Sequence, residues 1–367
     1  MNKKKISIFV SKIQGGGAER SAVNVANYIA KKGYDVDLIS LKRKQNTKIL
    51  NNKINFISLD TSRLIFSLPK LFRYISDKNN SNFYFVPFLN GNNVISIFLK
   101  IIFRKFNLIC TIHNPVYSHY KYTTFKDKIV IKILVLFKNI PNKFITCSHY
   151  IKNELIRKYS FNSKNIKHVY NPLDFSEIKK KSKIENKFLA KYKKKNKILL
   201  SIGRLTYQKN FESLILKIKP ILIKKNIILV ILGSGKNYKK LKNLIKLNNL
   251  NRKVFLLGYK PNPFNYLKNS DLFILNSRWE GLGSVIIESI FLKIPIICNK
   301  CPGGINEIFD YKNNYSIFDF KNQKQLEKTV IDLLYKNKTK IPMLNSKFLK
   351  KFDVNKASHE YLDFIIN

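Results

Sequence analysis

The chain has 367 residues, 45% hydrophobic and 13% aromatic, which is enough for two domains with separate cores. Lysine and arginine number 69 against 22 acidic residues, a formal net charge of +47. Such a surface favours polyanions, whether nucleic acid, anionic lipid or a phosphorylated substrate, but the lysines are spread along the whole chain, so charge alone selects no partner.

Four cysteines, at positions 110, 147, 298 and 301, do not make a disulfide framework in a chain of this length. Cys298 and Cys301 have one half of a zinc ribbon's spacing, but there is no second pair and no histidine near them. We therefore expect buried, reduced thiols and no metal site, which fits a cytosolic protein.

No segment has the composition of a signal peptide or a membrane span. The basic N-terminus is followed by a five-residue apolar run, too short for a signal peptide's core. The longest apolar stretch, Val94 to Ile112, is interrupted by Lys100, Arg104 and Lys105, whereas a span needs about 20 mostly uncharged residues. We expect a soluble or peripheral protein.

Strands and helices alternate in the first half of the chain. Continuous apolar runs or alternation predict strands at Ile6–Val10, Tyr34–Leu41, Asn55–Leu59, Phe83–Val86, Leu108–Ile112, Lys143–Cys147 and Lys167–Tyr170. Helical spacing predicts helices at Ala18–Lys32, Leu64–Lys78, Ile129–Lys138 and Tyr150–Lys158.

The second half repeats the alternation after a lysine-rich stretch, Ile178 to Lys197, which indicates a linker plus a solvated helix. Further strands are predicted at Ile198–Ile202, Ile227–Leu232, Val254–Leu257, Asp271–Asn276 and Pro295–Cys298, and a last helix at Asp353–Ile366. This pattern predicts the α/β class: two tandem Rossmann-like, doubly wound domains split near residue 175 and facing a central cleft.

The first strand–helix turn contains Gly15-Gly16-Gly17-Ala18-Glu19-Arg20. A dinucleotide fingerprint needs glycine where this chain has Arg20, so the dehydrogenase interpretation loses its main support, although Asp37 near the end of the second strand would suit it. Three glycines before a helix can still form a backbone cradle for a phosphate or a sugar. The alternative is a tight turn that needs positive φ.

The second half begins with a strand that ends in Ser201-Ile202-Gly203-Arg204-Leu205-Thr206-Tyr207-Gln208-Lys209-Asn210. Gly203 allows the chain to turn, and Arg204 and Lys209 then project from the loop at the strand's carboxyl end. Arginine offers a planar fork to phosphate oxygens and lysine a point charge, so together they could neutralise a diphosphate leaving group. The alternative is a pair of solvated surface cations.

Two glutamates, Glu280 and Glu288, flank a loop with Gly281 and Gly283 and the start of a helix predicted over Ser284–Lys293, with Ser284 as its N-cap. Small residues at a helix start let a phosphate approach backbone N–H groups. A carboxylate can accept hydrogen bonds from two neighbouring sugar hydroxyls. A diphosphate between two sugars, a nucleotide-sugar, satisfies every element, and the alternative is a surface loop before a helix with a solvated glutamate.

These three motifs stand in the order seen in retaining glycosyltransferases of family 4, which have the GT-B fold, and the resemblance covers nearly the whole chain. The chain is especially similar to bacterial enzymes that extend lipid-linked oligosaccharides, capsule or lipopolysaccharide. The resemblance implies an acceptor-binding domain over residues 1–175, a nucleotide-sugar-binding domain over 176–350, and a helix over 351–367 that crosses back to the first domain.

The resemblance also implies residue roles. Arg204 and Lys209 would hold the donor diphosphate, Glu280 the transferred sugar and Glu288 the ribose. The remaining donor contacts would come from Gly16, Gly17, Gly203, Gly281, Gly283, Ser284 and Val285, with Gly16 and Gly17 also bordering the acceptor. His113 matches a strand-end histidine that contacts donor sugar or acceptor in relatives; the alternative is a histidine satisfied by backbone. Relatives commonly have an aromatic residue at the position of Leu282, so this position does not identify the donor.

The predicted reaction transfers a hexose or N-acetylhexosamine from a nucleotide diphosphate donor, for which UDP is the first expectation. It retains the configuration at the anomeric carbon and uses no metal or other cofactor. We expect a lipid-linked or lipopolysaccharide-type glycan acceptor. Mixed apolar and basic segments, Leu64–Tyr74 and Ile95–Lys105, could settle on the anionic inner face of the cell membrane; the alternative is amphipathic helices packing on the sheet.

Two other interpretations remain at this stage. The charge alone permits a nucleic-acid-binding protein, although paired carboxylates at a phosphate loop would repel a nucleic-acid backbone, so no specific nucleic-acid partner is expected. The other is a sugar-nucleotide epimerase or a phosphorylase of the same fold, which is distinguished by testing whether turnover requires an added acceptor glycan.

Overall fold

The computed structural model describes residues 4–42, 45–309, 317–336 and 346–367. The chain forms two compact units, one made of Met1–Asp174 with Lys350–Asn367 and the other of Phe175–Leu349. Each unit contains one parallel β-sheet, as the buried apolar runs predict.

The first unit contains a seven-stranded sheet with the order β3-β2-β1-β4-β5-β6-β7. Its strands are β1 (Lys5–Val10), β2 (Asp35–Ser40), β3 (Ile54–Ser58), β4 (Phe83–Pro87), β5 (Asn107–Ile112), β6 (Lys143–Thr146) and β7 (Ile166–His168). Its helices are α1 (Gly17–Lys31), α2 (Leu68–Ser76), α3 (Asn90–Ile102), α4 (Val116–Tyr122), α5 (Phe125–Leu136) and α6 (His149–Tyr159).

The second unit contains a six-stranded sheet with the order β10-β9-β8-β11-β12-β13. Its strands are β8 (Lys197–Ile202), β9 (Ile227–Leu232), β10 (Val254–Leu256), β11 (Leu272–Leu275), β12 (Ile296–Asn299) and β13 (Ile317–Phe318). Its helices are α7 (Phe175–Ser182), α8 (Lys187–Lys193), α9 (Phe211–Lys224), α10 (Tyr238–Leu247), α11 (Phe264–Asn269), α12 (Ser284–Phe291), α13 (Gln323–Ile331), a π-helical turn (Asp332–Lys336) and α14 (Ser346–Leu349).

The last helix of the chain, α15 (Val354–Ile366), belongs to the first unit, where it packs against α1. Asp353 caps it by accepting hydrogen bonds from the backbone N–H groups of Asn355 and Lys356. Tyr361 and Ile365 are buried in the same core as α1 and the strands. This helix therefore helps to cover one face of the first sheet.

The helices of the first unit form two layers because the strand order reverses between β1 and β4. Right-handed crossovers that run in opposite directions place α1 on one face and the helices from α2 to α6 on the other. Among the described residues, no helix combines the length and hydrophobicity that a membrane span requires.

A linker plus a solvated helix was predicted over Ile178–Lys197; the helix is present as α8, but the linker part of the prediction is wrong. This stretch contains most of α7 and all of α8 and then enters β8, and it belongs to the second unit. Ile178 and Leu189 are buried between the lysines. One apolar residue per helical turn is enough to anchor each short helix while the long lysine side chains remain in water.

Two helix predictions in the first unit also change. The helix expected over Leu64–Lys78 is divided into a 3-10 turn (Leu64–Ser67) and α2, because Pro69 is tolerated only in the first turn of an α-helix. The segment after β4 forms α3, which includes most of Ile95–Lys105, where an amphipathic helix packing on the sheet was one of two alternatives.

Asp37 lies in the amino-terminal half of β2, not near its end, and it is paired in register with Ser7 of β1 and Asn55 of β3. Its buried carboxylate accepts hydrogen bonds from Asn55 and from the hydroxyl of Tyr74, and it lies 3.2 Å from Lys5 Nζ. Burial and this carboxylate raise the pKa of Tyr74. Asp37 is thus a structural group far from the carboxyl ends of the strands, which removes the remaining support for a dinucleotide site.

We expect Asp37→Asn to lower the free energy of unfolding by about 1.5–3 kcal/mol, because it weakens hydrogen bonds to a buried charge. Asp35→Asn is the matched control, since Asp35 also pairs with Lys5, at 2.9 Å, but its side chain is 49% exposed. It should cost less than about 1 kcal/mol. Urea unfolding of both variants tests this, and equal losses would contradict a buried structural role for Asp37.

Candidate active site

The second sheet places two loops of the predicted site side by side. Its strand order reverses between β8 and β11, which are neighbours in the sheet. In doubly wound sheets, ligands bind at such a reversal, beyond the carboxyl ends of the strands. The loop Gly203–Asn210 follows β8 and the loop Asn276–Gly283 follows β11. The residues predicted to hold a donor diphosphate and a donor sugar thus come from this one edge.

Lys209 and Glu280 form an ion pair there, with Lys209 Nζ 2.5 Å from Glu280 Oε1. Their side chains are only 13% and 7% exposed. A Cβ on Gly203 would lie 3.0 Å from the aliphatic stem of Lys209, so the glycine leaves room for this stem to pass across the strand end. The sequence placed both residues near a ligand but did not predict that they contact each other.

Arg204 is exposed on the same loop, and one of its terminal nitrogens lies 3.4 Å from Gln208 Oε1. Gln208 in turn donates to the backbone carbonyl of Trp279 and accepts from the backbone N–H of Arg278 through its own carbonyl. These bonds join the two loops, so the guanidinium of Arg204 and the ion pair have a common rigid base.

A third loop, Cys301-Pro302-Gly303-Gly304, supports the loop that carries Glu280. The backbone N–H of Glu280 donates to the carbonyl of Pro302, and that of Gly304 donates to the carbonyl of Gly281. Gly303 has φ 124°, and a Cβ there would lie 1.6 Å from the carbonyl oxygen of Glu280. Only glycine allows this approach, so Gly303 has a structural role in this loop.

The helix after the loop that carries Glu280 has its N-cap one residue earlier than predicted. Gly283, in the left-handed conformation with φ 81°, is the N-cap of α12, and Ser284 is its first residue. The prediction of Ser284 as N-cap is therefore wrong: the tight turn needs a positive φ at the position before it, which glycine supplies. The helix ends at Phe291, before the predicted Lys293.

Glu288 lies in the middle of α12 and is buried, one helical turn after the buried Ser284, while Val285 is partly exposed. Leu282 is buried as well, so this position contributes to the interior of the second unit.

In the first unit, the turn Gly15–Gly17 follows β1, and Gly16 is the N-cap of α1 with an extended backbone. None of these three glycines has a positive φ. The conformational reason for glycine, which the sequence left open, is thereby removed. The carboxylate of Glu19 instead lies where a Cβ on Gly15 would be, at 2.9 Å.

His113 follows β5 in the first unit and is buried. Its Nε2 lies 3.0 Å from the hydroxyl of Thr111, and its ring stacks on Phe88 at 5.2 Å. The Thr111 hydroxyl donates its proton to the carbonyl of Pro87, so Nε2 carries the hydrogen of the imidazole. Burial lowers the pKa of His113 to about 4, partly offset by a hydrogen bond with Asn171.

A buried carboxylate positions the segment after His113. Glu154 accepts hydrogen bonds from the first two backbone N–H groups of α4, at 2.6 Å from Val116 and 3.3 Å from Tyr117. Burial raises the pKa of Glu154, against these hydrogen bonds and the charge of Lys158.

Within the described residues, no three histidine, cysteine or acidic side chains come together as metal ligands. The four cysteines are buried. Burial raises the pKa of both Cys298 and Cys301, so these thiols are unreactive packing groups.

Sequence reasoning missed several residues of this region. Ser277 donates to Glu280, and Gly233 approaches the first loop so closely that a Cβ would lie 1.8 Å from the carbonyl oxygen of Gly203. The signal for the glycine was present, since Gly233-Ser234-Gly235 directly follows the buried run of β9. No local pattern marks Ser277, because its partner is defined by side-chain direction.

Two family models match the chain, one for each half. The model described as Glycosyltransferase Family 4 matches residues 15–177, and the model described as Glycosyl transferases group 1 matches residues 182–345. The chain belongs to these glycosyltransferases. The dehydrogenase and nucleic-acid interpretations therefore give way to a transferase.

Curated relatives resemble this glycosyltransferase over nearly its whole length. A Campylobacter jejuni protein named N-acetylgalactosamine-N,N'-diacetylbacillosaminyl-diphospho-undecaprenol 4-alpha-N-acetylgalactosaminyltransferase is 28% identical over 99% of both chains. The amylovoran biosynthesis glycosyltransferase AmsD of Erwinia amylovora is 27% identical over 91% of this chain and 94% of its own.

Solved structures confirm the predicted fold class, two Rossmann-like domains of the GT-B type. The HepE protein of Anabaena, in complex with UDP and glucose, matches with a TM-score of 0.77 at 15% identity over 98% of both chains. WaaG, a glycosyltransferase involved in lipopolysaccharide biosynthesis, matches with a TM-score of 0.72 at 13% identity, over 98% of this chain and 99% of its own.

The buried, neutral His113 of the glycosyltransferase should make its stability sensitive to acid. The folded-state pKa of about 4 lies below the ordinary value of 6.5, so the unfolded chain takes up the proton first. This contribution is complete above pH 6.5 and is lost as the pH falls towards 4. Over this range, we expect the free energy of unfolding of wild type to fall by up to about 3 kcal/mol relative to that of His113→Gln.

Urea unfolding of wild type and His113→Gln at several pH values measures the difference. His168 also has a lowered pKa, about 3, because of burial and its cationic neighbours. Both proteins contain His168, so its contribution cancels in the difference. A stability difference that does not change between pH 6.5 and 4 would contradict a neutral buried imidazole.

Proposed function

We propose that the protein is a retaining, metal-independent hexosyltransferase that moves a hexose or N-acetylhexosamine from a UDP-sugar to a membrane-associated glycan. The acceptor belongs to surface polysaccharide or lipid-linked oligosaccharide synthesis. The observation that carries the proposal is the Lys209–Glu280 ion pair beside Arg204 at the strand reversal of the second sheet. Retention rests on the resemblance to family 4.

The demanding step is departure of a dianionic nucleotide diphosphate while positive charge grows on the sugar ring. Arg204 and Lys209 bind the diphosphate, and the backbone N–H groups at the start of α12, from Gly283 to Val285, add the positive end of the helix dipole. Fixed positive groups stabilise the departing phosphate more than the intact donor, which accelerates the reaction. They also supply the charge that a divalent cation would bring.

The two glutamates act on the two sugars of the donor. Glu280 accepts hydrogen bonds from hydroxyls of the transferred sugar, and Glu288 from the ribose. Gly203 and Gly281 leave space for the diphosphate between them. Gly16, Gly17 and His113 belong to the other unit, where the turn and the imidazole contact donor or acceptor.

Names of relatives support the acceptor and donor classes. The Campylobacter jejuni relative is named for a diphospho-undecaprenol-linked glycan, and the Erwinia amylovora relative for the polysaccharide amylovoran. HepE was crystallised with UDP-glucose. By this analogy, the protein works on the cytoplasmic face of the cell membrane.

We expect UDP to raise the melting temperature of the protein, since a ligand at 100 times its Kd stabilises the folded state by about 2.7 kcal/mol. Arg204→Ala should reduce this shift and lower kcat with a UDP-sugar about a hundredfold or more, as the loss of one contact to the developing charge does elsewhere. Differential scanning fluorimetry and initial rates with a panel of UDP-sugars measure both effects.

The control is Arg252→Ala, which removes an exposed arginine on the turn that leads into β10, at the other end of the sheet. It should change neither quantity. Rates should persist in excess EDTA. Activity that EDTA abolishes and manganese restores would contradict the role given to Arg204 and Lys209.

We further propose that the outer face of the α2–α5 layer binds an anionic membrane. Every exposed large apolar side chain among the described residues of the first unit lies here: Ile65, Phe66, Phe72, Phe98, Ile101, Ile102, Tyr117, Tyr122, Phe125, Ile129 and Leu136. Residues 63–138 contain 12 lysines and arginines but only two acidic residues. This combination of apolar side chains and positive charge matches an anionic lipid surface.

This face is wider than the two segments that the sequence indicated. Its most exposed members, Phe125 at 78% and Leu136 at 75%, lie on α5, in neither segment. The helices touch one another: Phe98 of α3 lies against Phe137 at 6.2 Å, and Phe72 of α2 lies against Phe103 at 4.7 Å. The apolar side chains therefore form one surface.

We expect the protein to co-sediment with vesicles that contain 30% phosphatidylglycerol and not with phosphatidylcholine vesicles. Phe125→Ser/Leu136→Ser should weaken this binding by about tenfold or more, because two large side chains no longer enter the lipid. The control Ile223→Ser/Leu247→Ser removes two exposed apolar residues of the second unit and should bind like wild type. Equal binding to both lipids, or equal loss in both double variants, would contradict the proposal.

A further inference from the structure

Ser277 lies two residues after the end of β11 and is only 1% exposed. Its Oγ lies 2.5 Å from Oε1 of Glu280, and its carbonyl oxygen lies 3.4 Å from Nδ2 of Asn299. Because an ionised carboxylate is only an acceptor, the hydroxyl of Ser277 must be the donor. The serine side chain therefore binds the carboxylate that is proposed to hold the donor sugar.

Glu280 uses one oxygen for both of its partners. Oε1 accepts from Lys209 Nζ at 2.5 Å and from Ser277 Oγ at 2.5 Å. Neither of these two partners binds its other oxygen, Oε2. A carboxylate bound at one oxygen from two directions cannot rotate freely, so the remaining lone pairs keep a fixed direction.

Other buried serines of the second unit bind differently. The hydroxyls of Ser201, Ser270 and Ser289 each donate to a backbone carbonyl, those of Ile274, Leu267 and Val285. This is the usual way to satisfy a buried hydroxyl. Ser277 instead donates to a charged side chain, a stronger bond whose loss leaves the acceptor less well oriented.

We propose that Ser277 is a positioning residue for sugar transfer. It orients Glu280, together with Lys209, so that Oε2 accepts hydrogen bonds from hydroxyls of the transferred sugar. The inference rests on the proposed function, in which Glu280 binds that sugar. It adds Ser277 to the site and gives the two oxygens of Glu280 different roles. UDP lacks the transferred sugar, so its binding does not involve this contact.

Ser277→Ala should therefore lower kcat/KM for the best UDP-sugar of the panel by about 10- to 100-fold, the usual effect of one hydrogen bond to a charged group. The Kd for UDP should stay within about twofold of wild type. Ser277→Thr keeps the hydroxyl and should recover most of the activity. Ser270→Ala removes a hydroxyl from the opposite end of β11 and should change neither quantity.

Glu280→Gln and the double variant Ser277→Ala/Glu280→Gln complete a double-mutant cycle. If Ser277 acts through Glu280, the double variant is no worse than Glu280→Gln alone. Additive losses, or a UDP affinity that falls in parallel with kcat/KM, would overturn the inference and assign Ser277 a purely structural role. Wild-type activity of Ser277→Ala alongside an inactive Glu280→Gln would overturn only the inference. A wild-type protein that neither binds UDP nor transfers sugar would overturn the proposed function as well.

Discussion

Lys209 and Glu280 form an ion pair between two loops that are 71 residues apart in the chain. Burying two charges costs free energy that their attraction recovers only with good geometry and further hydrogen bonds. The surroundings provide both: Gly203 leaves room for the lysine stem, and Gly303 lets a third loop support Glu280 from below. Such a pair adds little to stability, but it determines one arrangement of the charges at the edge of the sheet.

The strands of the second sheet could be predicted from sequence because each is a continuous apolar run between polar turns. β9 occupies the predicted residues, Ile227–Leu232, and every one of them is buried. The same reasoning failed at α7 and α8, each of which contains three lysines. Composition there indicates solvent, yet one buried apolar residue in each helix, Ile178 and Leu189, decides the packing. Local pattern detects a strand with two buried faces better than a helix with one narrow contact.

The candidate site also contains features that the sequence predicts and features that it does not. The positions of Arg204, Lys209 and Glu280 followed from the rule that loops meet at the carboxyl ends of neighbouring parallel strands. The rule gives an edge of the sheet but no side-chain direction, so neither the ion pair nor Ser277 could be predicted. Asp37 is the converse case. Its type and rough position suited a ligand, but the register of β2 with β1 and β3 turns it to Lys5, Tyr74 and Asn55 inside the first unit.

The excess of positive charge indicates a particular partner only when it is considered together with the exposed apolar surface. Lysines cover both units, so charge alone attracts any polyanion. In the first unit, α15 packs beside α1 and buries Tyr361, Leu362 and Ile365, which leaves that face of the sheet without large exposed apolar side chains among the described residues. Within the described part of the chain, no helix covers the α2–α5 layer in this way. A nucleic acid would use the charge but leave Phe125 and Leu136 in water, whereas a lipid surface uses both. In the proposed membrane association, the apolar side chains, and not the lysines, therefore distinguish a lipid surface from a nucleic acid.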